Sequence, residues 1–379
     1  MTGAPGGPLT VVHVVVSGAF AGVEAHVARL ARAQAEHGDR VAVVGGDVGR
    51  VGEAAGPGVR VLAGRSPREA WASLSAVRAR ADVLHAHMTT AELLAVVAAH
   101  ATTGHRVPVV ATRHFAQVRG RSLPGRAAAR VIGPRLAAQI AISGYVAAAV
   151  DGPSVVVPPG VPGPVGGSGG PRAADREPVV LMVQRLEPEK RTDLGVRAFA
   201  ASGLAARGWR LDVAGGGSLR DDLERLVRAG GLTGSVRLLG ERRDVADRMA
   251  RASLLLAPCP AEGLGLSVLE AMAAGLPVVA AAAGGHVETL GGLDPAALWR
   301  PGDALDGGRC LAVLAGSPTR RDALADAARD RQRRDHTPAA QAAATDAVYR
   351  DALRRAPGPR AAGWRAGRGD AVLGSGRPS

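Results

Sequence analysis

The sequence predicts an α/β protein made of two tandem, doubly wound domains. Its 379 residues suit two domains of about 150 to 170 residues each. Short β-branched runs alternate with Ala-, Arg- and Leu-rich stretches of helical period, the pattern of a parallel sheet wound with helices. A Gly- and Pro-rich stretch without periodicity, PGPVGGSGGPRAADREP at 162–178, separates two copies of this pattern and indicates a linker.

The predicted elements alternate in both halves of the chain. The first half has a helix at 23–38 and strands at 9–16, 40–46, 81–87, 107–114, 138–143 and 154–161. The second half has helices beginning near 192, 218 and 267 and strands at 179–185, 210–215, 235–240, 253–258 and 277–281. Parallel α/β sheets bind ligands at the carboxyl ends of their strands, so these ends are expected to face each other across a cleft.

This pattern sets the predicted domain boundaries. The first domain is expected at 1–165, the linker at 166–178 and the second domain at 179–353. The remaining residues, 354–379, are rich in Gly, Arg and Pro and are predicted to be disordered.

Composition narrows the class of protein. The formal net charge of +13 indicates an anionic partner such as a nucleotide, a phospholipid surface or a nucleic acid. A nucleic-acid-binding protein is disfavoured because aromatic residues for base stacking make up only 2% of the chain and Arg is spread through both halves. Cys259 and Cys310 lack CxxC spacing, which argues against a disulfide scaffold and structural zinc. The N-terminus lacks a basic signal region and no long apolar run occurs, so we expect a cytoplasmic protein that is neither exported nor membrane-spanning.

Two kinds of motif raise the question of a metal or cofactor. His85 and His87 form an HxH pair on one strand face, but no Cys or carboxylate lies at ligand spacing beside them, which favours ordinary strand-end histidines. No two Asp are spaced DxD, the pair with which metal-dependent sugar transferases hold Mg²⁺ on a diphosphate. SGAFAG after the first strand and AGGGS at 214–218 leave the GxGxxG dinucleotide fingerprint incomplete. We therefore predict no metal and no cofactor.

The strongest signal is PAEGLGLSVLEAMAAGLPVVA at 260–280. Glu262 precedes a Gly-x-Gly turn, a helix opens near Ser267, and Glu270 follows on its first turn. The free N–H groups of such a turn and helix start bind anions. Ser267 and Glu270 also fit a capping box, which would explain these two residues structurally but leaves Glu262 and the glycines unexplained.

A second signal is RLEPEKR at 185–191, which contains Lys190, the only lysine among 47 basic residues. Accident is one explanation. The other is that this position requires a compact ammonium on a flexible stem, which a planar guanidinium cannot replace.

These motifs, with GGHVE at 284–288, resemble the donor-binding half of the retaining nucleotide-sugar glycosyltransferases of family 4. That family has the GT-B fold, two Rossmann-like domains facing across a cleft. The first half is also similar, in GVEAHVARLARAQAEHGDRVAVV from Gly22, in DVLHAH and in ATRH, which ends at His114. The resemblance extends from about residue 11 to 305.

The resemblance implies a role for each matching residue. Arg185 and Lys190 would grip the donor diphosphate, with the Gly22 backbone approaching it, and Glu270 would bind the ribose hydroxyls. His114 and Glu262 would be the catalytic pair beside the donor sugar. The backbone that holds this sugar would come from Gly263, Leu264, Gly265 and Leu266. Fixed cations and helix-end N–H groups would stabilise the leaving diphosphate in place of Mg²⁺.

The implied function is a metal-independent hexosyltransferase that moves a sugar, with retention, from a nucleoside-diphosphate sugar. Its acceptor is unidentified: a glycan, a lipid-linked molecule or a small molecule in glycan or glycoconjugate biosynthesis. The alternatives are a nucleotide-sugar epimerase or phosphorylase of the same architecture, or a basic nucleic-acid-binding protein. Three positions depart from the family pattern, on the acceptor side and in the loops: Ala21, Leu264 and Pro159 to Pro162.

Basic residues also suggest an anionic membrane surface on the inner face of the membrane. No acidic residue lies between Glu92 and Asp151. The arginines in this interval are Arg106, Arg113, Arg119, Arg121, Arg126, Arg130 and Arg135. A few of them on one face would support reversible attachment. The alternative is a solvated face in an Arg-biased chain.

Overall fold

The computed structural model describes residues 7–101, 107–120, 123–163 and 171–355. These residues form two parallel β-sheets, each wound with helices. The predicted class of two Rossmann-like α/β domains is therefore confirmed.

The first sheet has seven parallel strands in the order β3-β2-β1-β4-β5-β6-β7. Its strands are β1 (Thr10–Val15), β2 (Arg40–Val44), β3 (Val59–Leu62), β4 (Val83–His87), β5 (Val109–Arg113), β6 (Ala138–Ala141) and β7 (Val155–Val156). The chain winds outward from β1 in one direction and then returns to add β4 on its other side. The carboxyl ends of β1 and β4 therefore flank the point where the strand order reverses, which is the usual ligand site of such sheets.

The second sheet repeats this topology with six parallel strands in the order β10-β9-β8-β11-β12-β13. Its strands are β8 (Glu177–Val183), β9 (Arg210–Ala214), β10 (Val236–Gly240), β11 (Ala252–Ala257), β12 (Val278–Ala281) and β13 (Leu298–Trp299). The strand order reverses here between β8 and β11. The loops that follow these two strands carry the RLEPEKR and EGLGL motifs.

Helices cover both faces of each sheet. Those of the first half are α1 (Gly22–Glu36), α2 (Val48–Ala55), α3 (Pro67–Val77), α4 (Thr89–His100), α5 (Leu123–Ile132) and α6 (Gly144–Ala149). Those of the second half are α7 (Thr192–Ala201), α8 (Arg220–Ala229), α9 (Val245–Arg251), α10 (Leu266–Ala273), α11 (Gly285–Leu290), α12 (Ala304–Ala315), α13 (Pro318–Asp335) and α14 (Pro338–Arg355). Among the described helices, none is long and apolar enough to cross a membrane.

The predicted strands differ from the observed ones mainly at the sheet edges. Pattern reading missed β3 and β13, which are short edge strands. It also predicted a strand over 154–161, where only Val155 and Val156 pair with β6. Pro158 and Pro159 follow and lack the N–H group that a strand needs, so the ladder stops.

The last helix crosses back to the first half of the chain. Val348, Tyr349 and Ala352 of α14 share a buried apolar cluster with Leu9 and Val11 around β1. We propose that α14 belongs to the first domain, although the predicted second domain spans 179–353. Residues 166–170 of the predicted linker and 356–379 of the predicted tail lie outside the described residues, while Arg354 and Arg355 complete α14.

Candidate active site

The two halves of the chain meet at Gly263, in the loop that follows β11. A Cβ atom on Gly263 would lie 2.7 Å from the carbonyl oxygen of His114 at the end of β5. Ser143 Oγ, also from the first domain, donates a hydrogen bond of 2.6 Å to the Gly263 carbonyl. Any larger side chain at position 263 would push the domains apart. Gly263 and His114, which the sequence placed in one site, therefore lie close together.

The N-termini of two helices converge beside this contact. Gly22 is the first residue of α1 and Leu266 the first of α10. A Cβ atom on Gly22 would lie 3.7 Å from Leu266 Cδ1, so these helix starts are in near contact across the domain boundary. Helix N-termini carry unpaired N–H groups and partial positive charge. Two of them close together make this region suitable for a diphosphate.

Lys190 and Glu262 form an ion pair at this site. Lys190 ends a 3₁₀ turn, Pro188–Lys190, and its Nζ lies 2.6 Å from Glu262 Oε2. Gln184 fixes the turn by donating to the Lys190 carbonyl at 3.1 Å. Burial alone would raise the pKa of Glu262, but the ammonium of Lys190 outweighs it, and the pKa is lowered. Glu262 is therefore an ionised acceptor at neutral pH.

The GGHVE segment supports the loop that carries Glu262. Gly285 N donates to the Glu262 carbonyl at 2.9 Å. A Cβ atom on Gly284, whose φ is +58°, would lie 2.5 Å from the same oxygen. Glu288 accepts hydrogen bonds from Gly144 N and Tyr145 N of the first domain at 2.9 and 2.7 Å. Sequence reasoning quoted this segment but missed its role as a brace between the domains.

Glu270 also bridges the domains. Its Oε1 lies 2.8 Å from Nη1 of Arg29 on α1. The capping-box explanation is wrong, because α10 begins at Leu266 after Gly265 and has no side-chain cap. Arg29 was not predicted, since nothing local marks one arginine of α1 among the others.

Arg185 is the predicted donor-binding residue that stands apart. Its side chain is 58% exposed and pairs with Glu189 at 2.8 Å. It forms no ion pair with any other described residue of the predicted site. The exposed guanidinium is free to change its partner, whereas Lys190 is already held at the cleft.

His114 belongs to a buried cluster of histidines on the first sheet. His85 and His87, the predicted HxH pair, lie on the same face of β4, and both are fully buried. Tyr349 and Thr112 contact the ring nitrogens of His85, each at 2.6 Å. Those of His87 contact His13 and His114, each at 3.1 Å. A metal held by one ring nitrogen of each histidine would have to displace one of these hydrogen bonds at each ring.

The predicted membrane patch loses two of its arginines. Arg119 donates to Glu92 at 2.5 Å and to Asp151 at 2.6 Å, and its side chain is only 1% exposed. Arg113 is also buried and pairs with Asp151 at 2.9 Å. The prediction is wrong for these two because acidic residues just outside the acid-free stretch fold back onto it. Exposed positions remain at Arg126, Arg130 and Arg135, whereas Arg106 and Arg121 lie outside the described residues.

Two family models match the chain in succession. Residues 20–162 match Glycosyltransferase Family 4, and residues 170–331 match Glycosyl transferases group 1. The chain belongs to the family 4 glycosyltransferases with the GT-B fold. The family 4 glycosyltransferase resemblance seen in the sequence is thereby confirmed.

Individual proteins resemble parts of this chain. An exopolysaccharide phosphotransferase of Streptomyces coelicolor is 39% identical over 111 residues, which are 29% of this chain and 12% of the relative. A 2-deoxystreptamine glucosyltransferase of Streptomyces kanamyceticus is 34% identical over 143 residues, 37% of each chain. The chain thus spans less than half the length of these curated relatives.

A solved structure matches the chain over nearly its whole length. The Anabaena protein HepE in complex with UDP and glucose superposes with a TM-score of 0.73, covering 90% of this chain and 99% of that one. Sequence identity is 19%, so this likeness establishes the fold.

Proposed function

We propose that this glycosyltransferase transfers a sugar from a nucleoside-diphosphate sugar to an acceptor, with retention of anomeric configuration and without a metal ion. The observation that carries the proposal is the Lys190–Glu262 ion pair, 2.6 Å long, in the cleft where the α1 and α10 N-termini meet. One cation and two helix ends suit a diphosphate, and one ionised carboxylate suits sugar hydroxyls.

The donor diphosphate would lie against Lys190 and the starts of α1 and α10. Negative charge grows on this group as the glycosidic bond breaks. Preorganised N–H groups and an ammonium stabilise such charge without reorganisation in the transition state. Arg185 would exchange Glu189 for a phosphate oxygen, since its present ion pair is exposed and such pairs contribute about 1 kcal/mol or less.

The donor sugar would lie between Glu262 and His114. Burial lowers the pKa of His114 to about 3, helped by Arg113. His114 is therefore neutral at pH 7 and suits hydrogen bonding to a hydroxyl rather than donation of a proton as a general acid. Glu262 is engaged by Lys190, which makes it a poor covalent nucleophile. Retention would then proceed with the leaving phosphate deprotonating the acceptor on the same face of the sugar.

A donor panel tests the proposal. Sugars of UDP, GDP, ADP and dTDP are compared for hydrolysis and for protection of the protein from thermal unfolding, with and without excess EDTA. UDP-glucose is tested first, because the HepE structure contains UDP and glucose and one curated relative is a glucosyltransferase. At least one donor is expected to protect and to be hydrolysed in EDTA, and Lys190→Met is expected to weaken both effects.

Other outcomes of the panel would contradict the proposal. Activity that EDTA abolishes and Mg²⁺ or Mn²⁺ restores would exclude metal independence. Conversion of the donor to its epimer, or cleavage that requires inorganic phosphate, would favour the epimerase or phosphorylase alternative. A product with inverted anomeric configuration, seen by proton NMR with any acceptor that is found, would exclude retention.

A further inference from the structure

Five polar side chains of the first sheet lie on one face, near the carboxyl ends of its central strands. In the parallel register His13 of β1 lies opposite His85 of β4, and His87 lies opposite Thr112 of β5. Side chains two residues apart share a face of a strand. This face therefore carries His13, His85, His87, Thr112 and His114, and residues of α1 and α14 cover it.

Three hydrogen bonds run in series across this face and end at His114. Gln34 Oε1 of α1 lies 2.7 Å from His13 Nε2. His13 Nδ1 lies 3.1 Å from His87 Nε2, and His87 Nδ1 lies 3.1 Å from His114 Nε2. Each of the three rings thus uses one nitrogen for the hydrogen bond on its Gln34 side. His13 and His87 use their other nitrogen for the bond on the side of His114.

The amide of Gln34 gives this series a direction. Its Nε2 donates to the Tyr349 hydroxyl at 3.3 Å, while its oxygen lies 2.7 Å from His13. These lengths suit the amide as placed, because an O–H···O bond is usually shorter than 3.3 Å and an N–H···N bond is not as short as 2.7 Å. Gln34 therefore accepts, and the proton of His13 lies on Nε2.

The three histidines are neutral, so each offers one donor and one acceptor. Burial lowers the pKa of His13 to about 4 and that of His114 to about 3. Burial also lowers the pKa of His87 well below its usual value, and the neighbouring His85 and His114 lower it further.

We propose that His13 and His87 are positioning residues that, starting from Gln34, hold His114 in the tautomer protonated on Nε2. His13 accepts at Nδ1 from His87 Nε2–H, and His87 accepts at Nδ1 from His114 Nε2–H. The Nε2 proton of His114 is therefore donated to His87, inside the first domain. His114 Nδ1, which bonds to no described residue, is left as an acceptor for a hydroxyl of a bound sugar or acceptor.

The role of Nδ1 rests on the proposed function, whereas the tautomer does not. The tautomer is therefore measured in the protein without substrate, by long-range proton–nitrogen NMR on protein labelled with ¹⁵N-histidine. His114 signals are assigned by loss in His114→Gln. The expected result is one neutral form of His114 with the proton on Nε2. A proton on Nδ1, or a mixture of both forms, overturns the proposal even if transfer is demonstrated.

Two matched variants separate positioning from packing. Gln34→Leu removes the acceptor that sets the direction. Gln341→Leu is the control: it removes an equally buried glutamine that donates to His26 and accepts from Gly160 N but lies outside the series. Gln34→Leu is expected to give two His114 tautomers, with donor hydrolysis falling in proportion to the Nε2–H fraction. Gln341→Leu is expected to keep a single tautomer. Equal tautomer ratios of His114 in the two folded variants would overturn the proposal. If Gln34→Leu does not fold, the His114 tautomer in the spectrum of the unaltered protein decides whether the proposal holds.

Discussion

Arg29 of the first domain and Glu270 of the second form an ion pair across the domain boundary, with 2.8 Å between Nη1 and Oε1. Glu270 is also the residue expected to bind the donor ribose. The carboxylate therefore serves the domain contact, and in the proposed donor complex ribose hydroxyls would share or replace the guanidinium. Donor binding and domain contact would thus be linked at this one side chain.

This pair gives the first prediction. Glu270→Ala is expected to weaken binding of the nucleoside diphosphate by about 1.5 to 3 kcal/mol, because ribose loses a charged acceptor. Arg29→Ala is expected to change it by about fivefold at most, since partly exposed ion pairs contribute about 1 kcal/mol or less. Calorimetric titration of both variants measures the difference. Equal losses would mean that Arg29 itself contacts the nucleotide, contrary to the assigned roles.

The second prediction concerns the identity of the cation at position 190. Lys190→Met is expected to lose about 1.5 to 3 kcal/mol of diphosphate binding. Lys190→Arg is also expected to bind more weakly, because a planar guanidinium cannot hold Glu262 and a phosphate from the same place. Titration with the diphosphate again measures both. If Lys190→Arg binds and turns over like the parent protein, the single lysine is an accident of composition.

The third prediction is a shift in pH dependence. Lys190 lowers the pKa of Glu262 against the opposite effect of burial. Removing the ammonium leaves burial opposed only by the smaller effects of His286 and Cys259, so the pKa of Glu262 is expected to rise in Lys190→Met. In its proposed role as an acceptor for sugar hydroxyls Glu262 would act in the ionised form, so activity is expected to fall as pH drops through its pKa. The acid limb of the kcat/KM profile for donor hydrolysis should therefore move to higher pH. An unmoved limb in an active variant would show that Glu262 does not limit the rate.

The fourth prediction concerns acid stability. His13 has a pKa near 6.5 when unfolded and about 4 when folded, so below pH 6.5 the unfolded state binds more protons. The free energy of unfolding should fall as pH drops from about 6.5 toward 4, by about 3 kcal/mol for this residue in full. Urea unfolding at pH 7 and pH 5 measures the slope. His13→Gln should reduce it, whereas His37→Gln, at an exposed position, should not. An unchanged slope in His13→Gln would contradict the buried, neutral state.

The fifth prediction separates structural from surface arginines. Arg119→Ser is expected to cost about 3 to 5 kcal/mol of stability, because it leaves the buried Glu92 with only Arg113, at 3.9 Å, as an ionic partner. Arg126→Ser, at an exposed position, should change stability by about 0.5 kcal/mol or less. Urea unfolding at pH 7 distinguishes the two. Sedimentation with anionic liposomes then tests the surface arginines alone, through Arg126, Arg130 and Arg135. Salt-sensitive binding that their joint replacement by Ser abolishes would support a membrane role, and its absence would oppose one.

Local patterns predicted the central strands and the Lys190 and Glu262 motifs. Runs of β-branched residues predict buried strands from local composition, without knowledge of the neighbouring strand. Charged residues beside glycine turns predict an anion site in the same local way. Edge strands such as β3 were missed because they are short and pair on only one side.

Contacts between distant segments were not predictable in the same way. Arg29 and Glu270 are 241 positions apart, and Gly144 and Glu288 are 144 apart. Nothing in the pattern around Arg29 distinguishes it from the many arginines on helix surfaces. Arg119 shows the same difficulty, because the acid-free stretch suggested an exposed patch until the fold brought Glu92 and Asp151 to it.

The return of α14 to the first sheet has a consequence for synthesis on the ribosome. The face that carries His13, His85 and His87 is completed by Tyr349, near the end of the described chain. While the nascent chain is shorter than this, His85 and Gln34 lack the Tyr349 hydroxyl as a hydrogen-bond partner. The first domain is therefore expected to complete its core only after the strands of the second domain have been made. Emergence of α14 from the ribosome, rather than emergence of the first seven strands, would be the step at which this face acquires its final form.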